Sequence, residues 1–237
     1  MLRTQLIDNQ YLLQIQSQQQ IFKNELAKLK FLIGVQEAIT IESTDNFIFN
    51  LPTDVDSIMQ YALTNRSDIL RLKSTIDVAN ANIKRQKAFA YPTPELGAIY
   101  NPQNTIPYIG FYGTIQIPIF SRNQGEIQKS NFIKHQAQQD LLSTQLKLQT
   151  DVMISYETYE TQKQNLEGYY DIINQSTEIL KSVKYAYLRG GTSIIDFLEA
   201  QRSWITTQQQ YYDALQIYKQ SYIQLLYTTG LINQIAQ

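Results

Sequence analysis

The chain has 237 residues, 20 basic and 21 acidic side chains, a formal net charge of −1 and 43% hydrophobic residues. This composition excludes a disordered tail, and without a basic run it gives no reason to expect a nucleic-acid partner. The absence of cysteine excludes disulfides, thiol nucleophiles and thiolate metal sites. No apolar run reaches the roughly 18 residues of a membrane-spanning helix, so a membrane role would have to use strands or an amphipathic surface.

The first predicted element is a helix over residues 4–33 that ends at Gly34 in "KFLIGV". The last predicted helix ends similarly, at Gly230 in "YTTGLI", which indicates an internal duplication. A connector that contains proline and aspartate covers about residues 36–56. A helix near 57–90 follows, broken or restarted at "NRSDIL", where Asn65 and Asp68 have the spacing of an N-cap and its partner three residues on.

Residues 94–120 are the one stretch with the character of strands. In 108–120 an apolar face alternates with a more polar one, and the apolar positions include Ile109, Phe111, Ile115, Ile117 and Ile119. Residues 94–101 are predicted as a shorter partner strand, and "PQNTIP" as the turn between them. A β-hairpin is therefore predicted here.

Two interpretations of this hairpin stay open on the pattern alone. The first is a soluble hairpin with one face packed on helices. The second is a membrane hairpin, apolar outside and wet inside, with tyrosines near the interfaces at Tyr91, Tyr100, Tyr108 and Tyr112. The second interpretation requires oligomerisation, because a lone hairpin in lipid leaves the backbone groups of its edges unpaired.

Residues 121–188 contain no proline and are predicted as one helix of about 100 Å, since each residue adds about 1.5 Å. Its apolar residues form two heptad-like seams, as in a helix with a neighbour on each flank. The main seam comprises Leu141, Leu148, Val152, Tyr159, Leu166, Tyr170, Ile173 and Leu180, and the second Leu142, Leu146, Met153, Tyr156, Ile172, Ile179 and Val183.

The glycines of "RGGTS" interrupt this pattern before a return helix over 193–229. Gly190 can take the left-handed conformation that ends a helix, and Ser193 can cap the next one. The predicted fold class is therefore mainly α: a long antiparallel coiled-coil helical hairpin with one β-hairpin.

Four stretches together resemble the TolC-like outer membrane efflux proteins: "NRSDIL" (65–70), "IPIFSRNQGEI" (117–127), "YLRGGTSIIDFLEAQRS" (187–203) and "YIQLLYTTGLI" (222–232). The "SRNQGEI" form is most similar to the CzcC-like branch, which serves cation efflux. The resemblance covers about residues 57–232, and residues 1–35 resemble the last helix of the family's first repeat. Residues 57–237 would then be the second repeat.

This resemblance implies an outer-membrane localisation and a trimeric duct whose helices extend through the periplasm. Each member contributes strands to a shared β-barrel surrounded by outer-membrane lipid. A periplasmic adaptor protein joins the duct to an inner-membrane transporter. No catalysis and no cofactor are implied. Because the family has two repeats and this chain matches one plus a helix, we expect a fragment or a truncated reading frame, in agreement with the missing signal peptide and lipid-anchor cysteine.

Asp196 and Glu199 lie one turn apart just past the tip. In TolC-like ducts, acids at these positions line the periplasmic constriction, which implies a ring that favours cations. Asp196 has an alternative role, because Ser193 and Asp196 have the spacing of a capping box. The resemblance also makes the tip the expected docking site for the adaptor, at Leu188, Arg189, Gly190, Gly191, Thr192 and Ser193.

No catalytic or metal site is predicted. The only histidine, His135, lies on the polar side of the long helix without partners for a dyad or a zinc site. No phosphate-binding glycine loop or hydrolase elbow occurs. A second class stays open beside the channel, namely a soluble helical-hairpin scaffold or a periplasmic adaptor, and the behaviour of 108–120 would discriminate between them.

Overall fold

A computed structural model describes residues 2–41, 54–102 and 106–232, with the side chains of residues 2–4 and 7 excepted. The elements are five helices and two strands in these ranges: α1 Leu2–Ile33, α2 Val55–Asn65, α3 Ser67–Ala88, β1 Pro94–Asn101, β2 Tyr108–Ile115, α4 Gln124–Leu188 and α5 Ile194–Thr229. The prediction of a mainly helical chain with a long antiparallel helical hairpin and a β-hairpin is confirmed.

The chain forms two compact units, Met1–Leu51 and Pro52–Gln237. Their boundary falls within the predicted connector 36–56, most of which lies outside the described residues. In the first unit, α1 ends at Gly34, whose φ of 70° is left-handed. The amide of Val35 donates to the carbonyl of Lys30 at 3.1 Å, which satisfies a carbonyl that the helix end leaves free.

The second unit is organised along α4. The tail of α3 lies beside the start of α4, where Asn82 Nδ2 donates to Ser130 Oγ at 3.2 Å. The start of α5 lies beside the far end of α4, where the rings of Tyr187 and Phe197 stack at 5.4 Å. Helix α4 therefore has α3 along its first half and α5 along its second, and both run antiparallel to it.

The buried core lies where α2 and α3 meet the middle of α4. Its members are Ile58, Ala62, Ile69, Leu148 and Val152. Leu148 and Val152 belong to the main predicted seam, and Leu141 of the same seam packs against the cluster, so α2 and α3 meet α4 along this part of the seam. Full burial of an aliphatic side chain of this size stabilises a fold by about 1.5–3 kcal/mol, so this cluster fixes the level at which the helices meet.

Pairs of tyrosine rings contribute to the contact between α4 and α5 farther along. The ring of Tyr159 lies 5.8 Å from that of Tyr218 and 5.7 Å from that of Tyr222. Burial and a hydrogen bond with Tyr218 raise the pKa of Tyr159 above its ordinary range. Closer to the tip, the rings of Tyr170 and Tyr211 meet edge to face at 5.5 Å. The high tyrosine content is thus used in the helical hairpin as well as in the strands.

The second predicted seam of α4 behaves differently from the main one. Leu142, Leu146, Met153, Ile172 and Ile179 are exposed, whereas Tyr156 and Val183 are partly buried. These five side chains are about half exposed to solvent, whereas Tyr156 packs against the core cluster. Among the residues that the structure describes, no helix combines the length and the apolar character needed to cross a bilayer.

The β-hairpin is shorter than predicted. Strand β1 pairs antiparallel with β2 from Pro94 opposite Ile115 to Asn101 opposite Tyr108. Ile117 and Ile119 therefore lie beyond the strand, although both are exposed. Pairing stops at Ile115 because Pro94, which has no N–H, begins the partner strand, and Pro118 follows soon after. Residues 103–105 of the predicted turn lie outside the described residues.

The long helix begins at Gln124 and not at residue 121. Its N-cap is Asn123, which has a left-handed φ of 57°. Asn123 Nδ2 donates to the carbonyl and to the side-chain oxygen of Gln86, both at 2.9 Å. The "RNQG" segment, predicted as a turn into the helix, thus also ties the start of α4 to the end of α3.

Candidate functional site

The tip joins α4 to α5 through the conformations that the sequence predicts. Gly190 has a φ of 74°, and the amide of Gly191 donates to the carbonyl of Ala186 at 2.8 Å. A glycine at this position avoids the clash that a Cβ meets in the left-handed region. The turn is therefore closed by backbone bonds of its own and needs no partner to form.

Two large side chains of the tip face solvent. Leu188 is 73% exposed, although it is the last residue of α4. The guanidinium of Arg189 lies 4.1 Å from the ring centroid of Tyr185, which is a cation–π contact. The tip thus presents an apolar side chain and a cation next to each other on a short turn that its own bonds hold closed.

Asp196 is part of a complete capping box. Its Oδ2 accepts from Thr192 Oγ1 at 2.7 Å, from Ser193 Oγ at 2.7 Å and from the amide of Ser193 at 3.1 Å. In return, the amide of Asp196 donates to Ser193 Oγ at 3.2 Å. These bonds, led by the one from the Ser193 side chain, hold the pKa of Asp196 below its ordinary value. The capping role of Asp196 is present in the structure, and the constriction role stays a prediction.

Glu199 differs from Asp196 in its surroundings. It lies one turn farther along α5, is exposed, and stands beyond the reach of the cap. If either acid acts on ions in transit, Glu199 is the one whose charge is not already engaged in holding the helix start. Among the residues that the structure describes, no group of acidic or histidine side chains is arranged to hold a metal ion.

The hairpin has two chemically distinct faces. Directly opposed residues of paired strands lie on the same face, and successive residues alternate between faces. One face, named here the apolar face, carries Pro94, Leu96, Ala98, Tyr100, Ile109, Phe111, Gly113 and Ile115. The other, named here the polar face, carries Glu95, Gly97, Ile99, Asn101, Tyr108, Gly110, Tyr112 and Thr114.

The apolar face has no cover from the rest of the described chain. Leu96 is 87% exposed and Phe111 is 88% exposed. Exposure of adjacent large apolar side chains is unusual on a soluble protein and marks a surface that contacts lipid or another chain. The prediction that Ile109, Phe111 and Ile115 share a face agrees with the strand register, whereas Tyr108 and Tyr112 lie on the opposite face from Tyr100.

A helix joint lies at "NRSDIL", and it differs from the predicted cap. Asn65 is the last residue of α2, and its Nδ2 donates to the carbonyl of Tyr61 at 3.0 Å. The N-cap of α3 is Arg66, which makes no side-chain capping bond. Asn65 cannot cap α3 because it is still helical, so the predicted pairing of Asn65 with Asp68 is wrong.

The side chain of Arg66 instead connects α3 with α5. Its Nε and Nη2 donate to the two carboxylate oxygens of Asp68 at 3.0 and 2.6 Å, and its Nη1 donates to the carbonyl of Thr228 at 2.6 Å. The joint between the end of α5 and the start of α3 therefore depends on this guanidinium. The sequence patterns did not predict this role, because Thr228 is 162 positions away from Arg66 and the residues around Arg66 give no indication of that contact.

The sequence profile described as "Outer membrane efflux protein" matches residues 58–231, which is more than half of the chain. A comparison with curated proteins finds no match. The chain is similar in fold to CusC, at 19% identity and a TM-score of 0.73, with 90% of this chain and 52% of that chain covered.

Two further solved structures are similar in the same way. The open state of the MtrE outer membrane channel of Neisseria gonorrhoeae has 18% identity and a TM-score of 0.72, with 88% of this chain and 50% of that chain covered. A membrane protein of Pseudomonas aeruginosa has 21% identity and a TM-score of 0.60, with 73% and 42% covered. The chain thus spans about half the length of the structures that it matches. On the profile match and the fold, this chain belongs to the outer membrane efflux protein family, a family of outer-membrane channels with periplasmic helical extensions and not of enzymes.

Proposed function

We propose that this chain is part of an outer-membrane efflux channel that passively conducts a substrate from the periplasm to the exterior. The single observation that carries the proposal is the two-faced hairpin, whose register gathers the apolar side chains of both strands on one face. In a channel wall, that face contacts lipid and the polar face contacts water. Eight residues per strand, at about 3.3 Å each, are roughly 26 Å long, and at a tilt of about 40° they rise roughly 20 Å, which is most of the roughly 25 Å apolar band of such walls.

The wall is built from several subunits. Two strands cannot close on themselves, and open edges are not stable in lipid. The exposed second seam of α4 supports this assembly, because heptad-spaced apolar rows pack against another helix. We assign the association to copies of the same protein, in a trimer as the family resemblance implies, with the remaining strands supplied by polypeptide other than these residues.

We assign the tip to the docking of a partner protein. A periplasmic adaptor protein, itself joined to an inner-membrane transporter, would contact Leu188 and the turn from Arg189 to Ser193. The exposed apolar side chain of Leu188 supports this assignment, because most of its surface is left uncovered by the described part of the chain.

Asp196 and Glu199 are assigned to the constriction that controls leakage. Several copies of Glu199 around one axis would attract cations and repel anions. The substrate class that we assign is metal cations, which rests on the resemblance of "SRNQGEI" (121–127) to the cation-efflux branch.

Membrane fractionation and single-channel recording test the proposal. The protein at its natural full length should fractionate with the outer membrane, require detergent for extraction and conduct ions in planar bilayers. Recovery of a monomer that stays in solution without detergent would contradict it.

Single-channel recordings of separate Asp196→Asn and Glu199→Gln variants then address the constriction. We expect Glu199→Gln to reduce the cation preference and Asp196→Asn to lower the thermal stability of the tip as well, because only Asp196 holds the cap. Unchanged selectivity in the double variant would remove these residues from the constriction and leave the channel itself in place.

A further inference from the structure

Glu95 is an isolated charge in an otherwise uncharged stretch. Between Lys87 and Arg122 it is the only acidic or basic residue of the sequence. It lies on β1, one residue after the strand begins, at the end of the hairpin that is connected to α3. A charge at this position would be costly in lipid, by about 2–4 kcal/mol for a cation at the bilayer midplane and less for a carboxylate or nearer the interface.

The strand register places this charge on the polar face. Glu95 is directly opposite Thr114, whereas its neighbour Leu96 is on the apolar face opposite Gly113. Among the described residues, no basic side chain forms an ion pair with Glu95, which is exposed. No described basic side chain therefore neutralises this carboxylate.

On the polar face, the side chains near Glu95 project little above the backbone. The ring of Tyr112 lies flat on its cross-strand partner Gly97, so closely that a Cβ added to this glycine would overlap the ring. Thr114 and Gly110 add little bulk on the same face. A carboxylate that stands on such a surface projects into the adjacent solvent without a large neighbour to shield it.

We propose that Glu95 is a specificity-determining residue of the channel: a water-exposed carboxylate in the lumen, at the helix-connected end of the strand wall, that attracts cations in transit. The inference rests on the proposed function, since it needs the polar face to line the lumen. It adds a second acidic level, separate from the tip, where unpaired carboxylates raise the local cation concentration.

Cysteine labelling tests which face of the hairpin contacts water. The chain contains no cysteine, so single Glu95→Cys and Leu96→Cys variants each introduce the only thiol of this chain. With a charged, membrane-impermeant maleimide applied to the assembled full-length protein in native membranes, we expect Glu95→Cys to be labelled and Leu96→Cys to be protected. Labelling of both thiols would overturn the proposed function as well, because the hairpin would then not contact lipid. Protection of Glu95→Cys would overturn the inference.

Ion selectivity tests the role of the charge. In an Asp196→Asn, Glu199→Gln background, which removes the acids of the tip, we expect Glu95→Gln to shift the reversal potential in a potassium chloride gradient toward zero. Adding Thr114→Glu to Glu95→Gln returns a carboxylate to the same face on the opposed strand and should restore the cation preference. If the channel with Glu95→Gln still opens and its reversal potential is unchanged, this inference is overturned and the proposed channel function is left intact.

Discussion

Arg66 donates a hydrogen bond of 2.6 Å to the backbone carbonyl of Thr228, across 162 positions of sequence. The carbonyl belongs to the last turn of α5, where no further helical amide is available to it. The same guanidinium binds Asp68 at the start of α3. A cation at the end of one helix and an acid at the start of the next both complement the helix dipoles, so one side chain stabilises both helix ends.

Replacement of Arg66 by glutamine should destabilise this joint. Bonds to a charged donor contribute about 1.5–3 kcal/mol each, and the side chain of Arg66 is only 24% exposed, so we expect a loss of about 2 kcal/mol in the free energy of unfolding. Thermal unfolding of the detergent-solubilised protein, followed by circular dichroism, measures it. Arg71→Gln, on the exposed side of α3, is the matched control and should change little. Equal effects of the two changes would show that the joint is not what stabilises this region.

The joint should also weaken in acid. The hydrogen bond from Arg66, ahead of its charge, holds the pKa of Asp68 below its ordinary value of 3.8. Because the folded-state pKa is the lower one, the stability contributed by Asp68 is complete above 3.8 and is lost as the pH falls through the folded-state pKa.

Asp68→Asn should therefore reduce the loss of melting temperature as the pH falls from 3.8 through the folded-state pKa of Asp68. The variant should still lose part of its melting temperature in acid, because hydrogen bonds also lower the pKa values of Asp54 and Asp196. Asp77→Asn, which makes the same change at an exposed acid on the same helix, serves as the matched control.

Two glycine-to-alanine changes should alter the free energy of unfolding in opposite directions. Gly230 ends α5 with a φ of 78°, and a Cβ there would lie 3.1 Å from Cγ of Arg66. Gly230→Ala should cost about 1–2 kcal/mol from the left-handed conformation alone. Gly168 lies inside α4 with no atom near its would-be Cβ, so Gly168→Ala should stabilise by up to about 1 kcal/mol. Chemical denaturation of both variants measures the difference, and a destabilising Gly168→Ala would contradict a regular helix there.

The polar face of the hairpin should tolerate alanine at one glycine and not at another. Gly97→Ala forces the ring of Tyr112 off the strand, and overpacking of this kind costs about 1–3 kcal/mol. We expect a lower heat stability of the assembled oligomer on unboiled gels. Gly110→Ala is the control, because its nearest neighbour, Cε2 of Tyr108, lies at 3.9 Å, an ordinary contact. If Gly97→Ala assembled as well as Gly110→Ala, the described packing of Tyr112 would not persist in the oligomer.

Charge at the tip should interfere with docking but not with folding. Leu188→Glu places a carboxylate on an exposed apolar side chain, so we expect a loss of efflux at unchanged outer-membrane levels. Gln175→Glu, about 20 Å back along α4, is the matched control and should pump normally. Gly190→Asn should also be tolerated, since asparagine adopts the left-handed conformation more readily than other side chains. Normal efflux by Leu188→Glu would remove this residue from the docking surface.

The sequence by itself determined what depends on neighbours along the chain. The seam through Leu148 and Val152, the left-handed end at Gly190 and the cap at Ser193 follow from helical spacing and local backbone preferences, which operate over a few residues. The alternation in 108–120 likewise predicted a strand and its apolar face, although the strand itself covers only Tyr108–Ile115.

Only the tertiary structure decided what depends on contacts between distant segments. It ended β2 at Ile115, because the partner strand begins at Pro94 and offers no further pairing. It moved the start of the long helix to Gln124, where Asn123 reaches Gln86 of α3. It also placed Arg66 at the joint between α5 and α3, where its side chain binds Thr228 and Asp68. Contacts between distant residues produce no repeating pattern in the sequence. Their positions depend on how the folded helices pack against one another and not on the residues that lie between them in the chain.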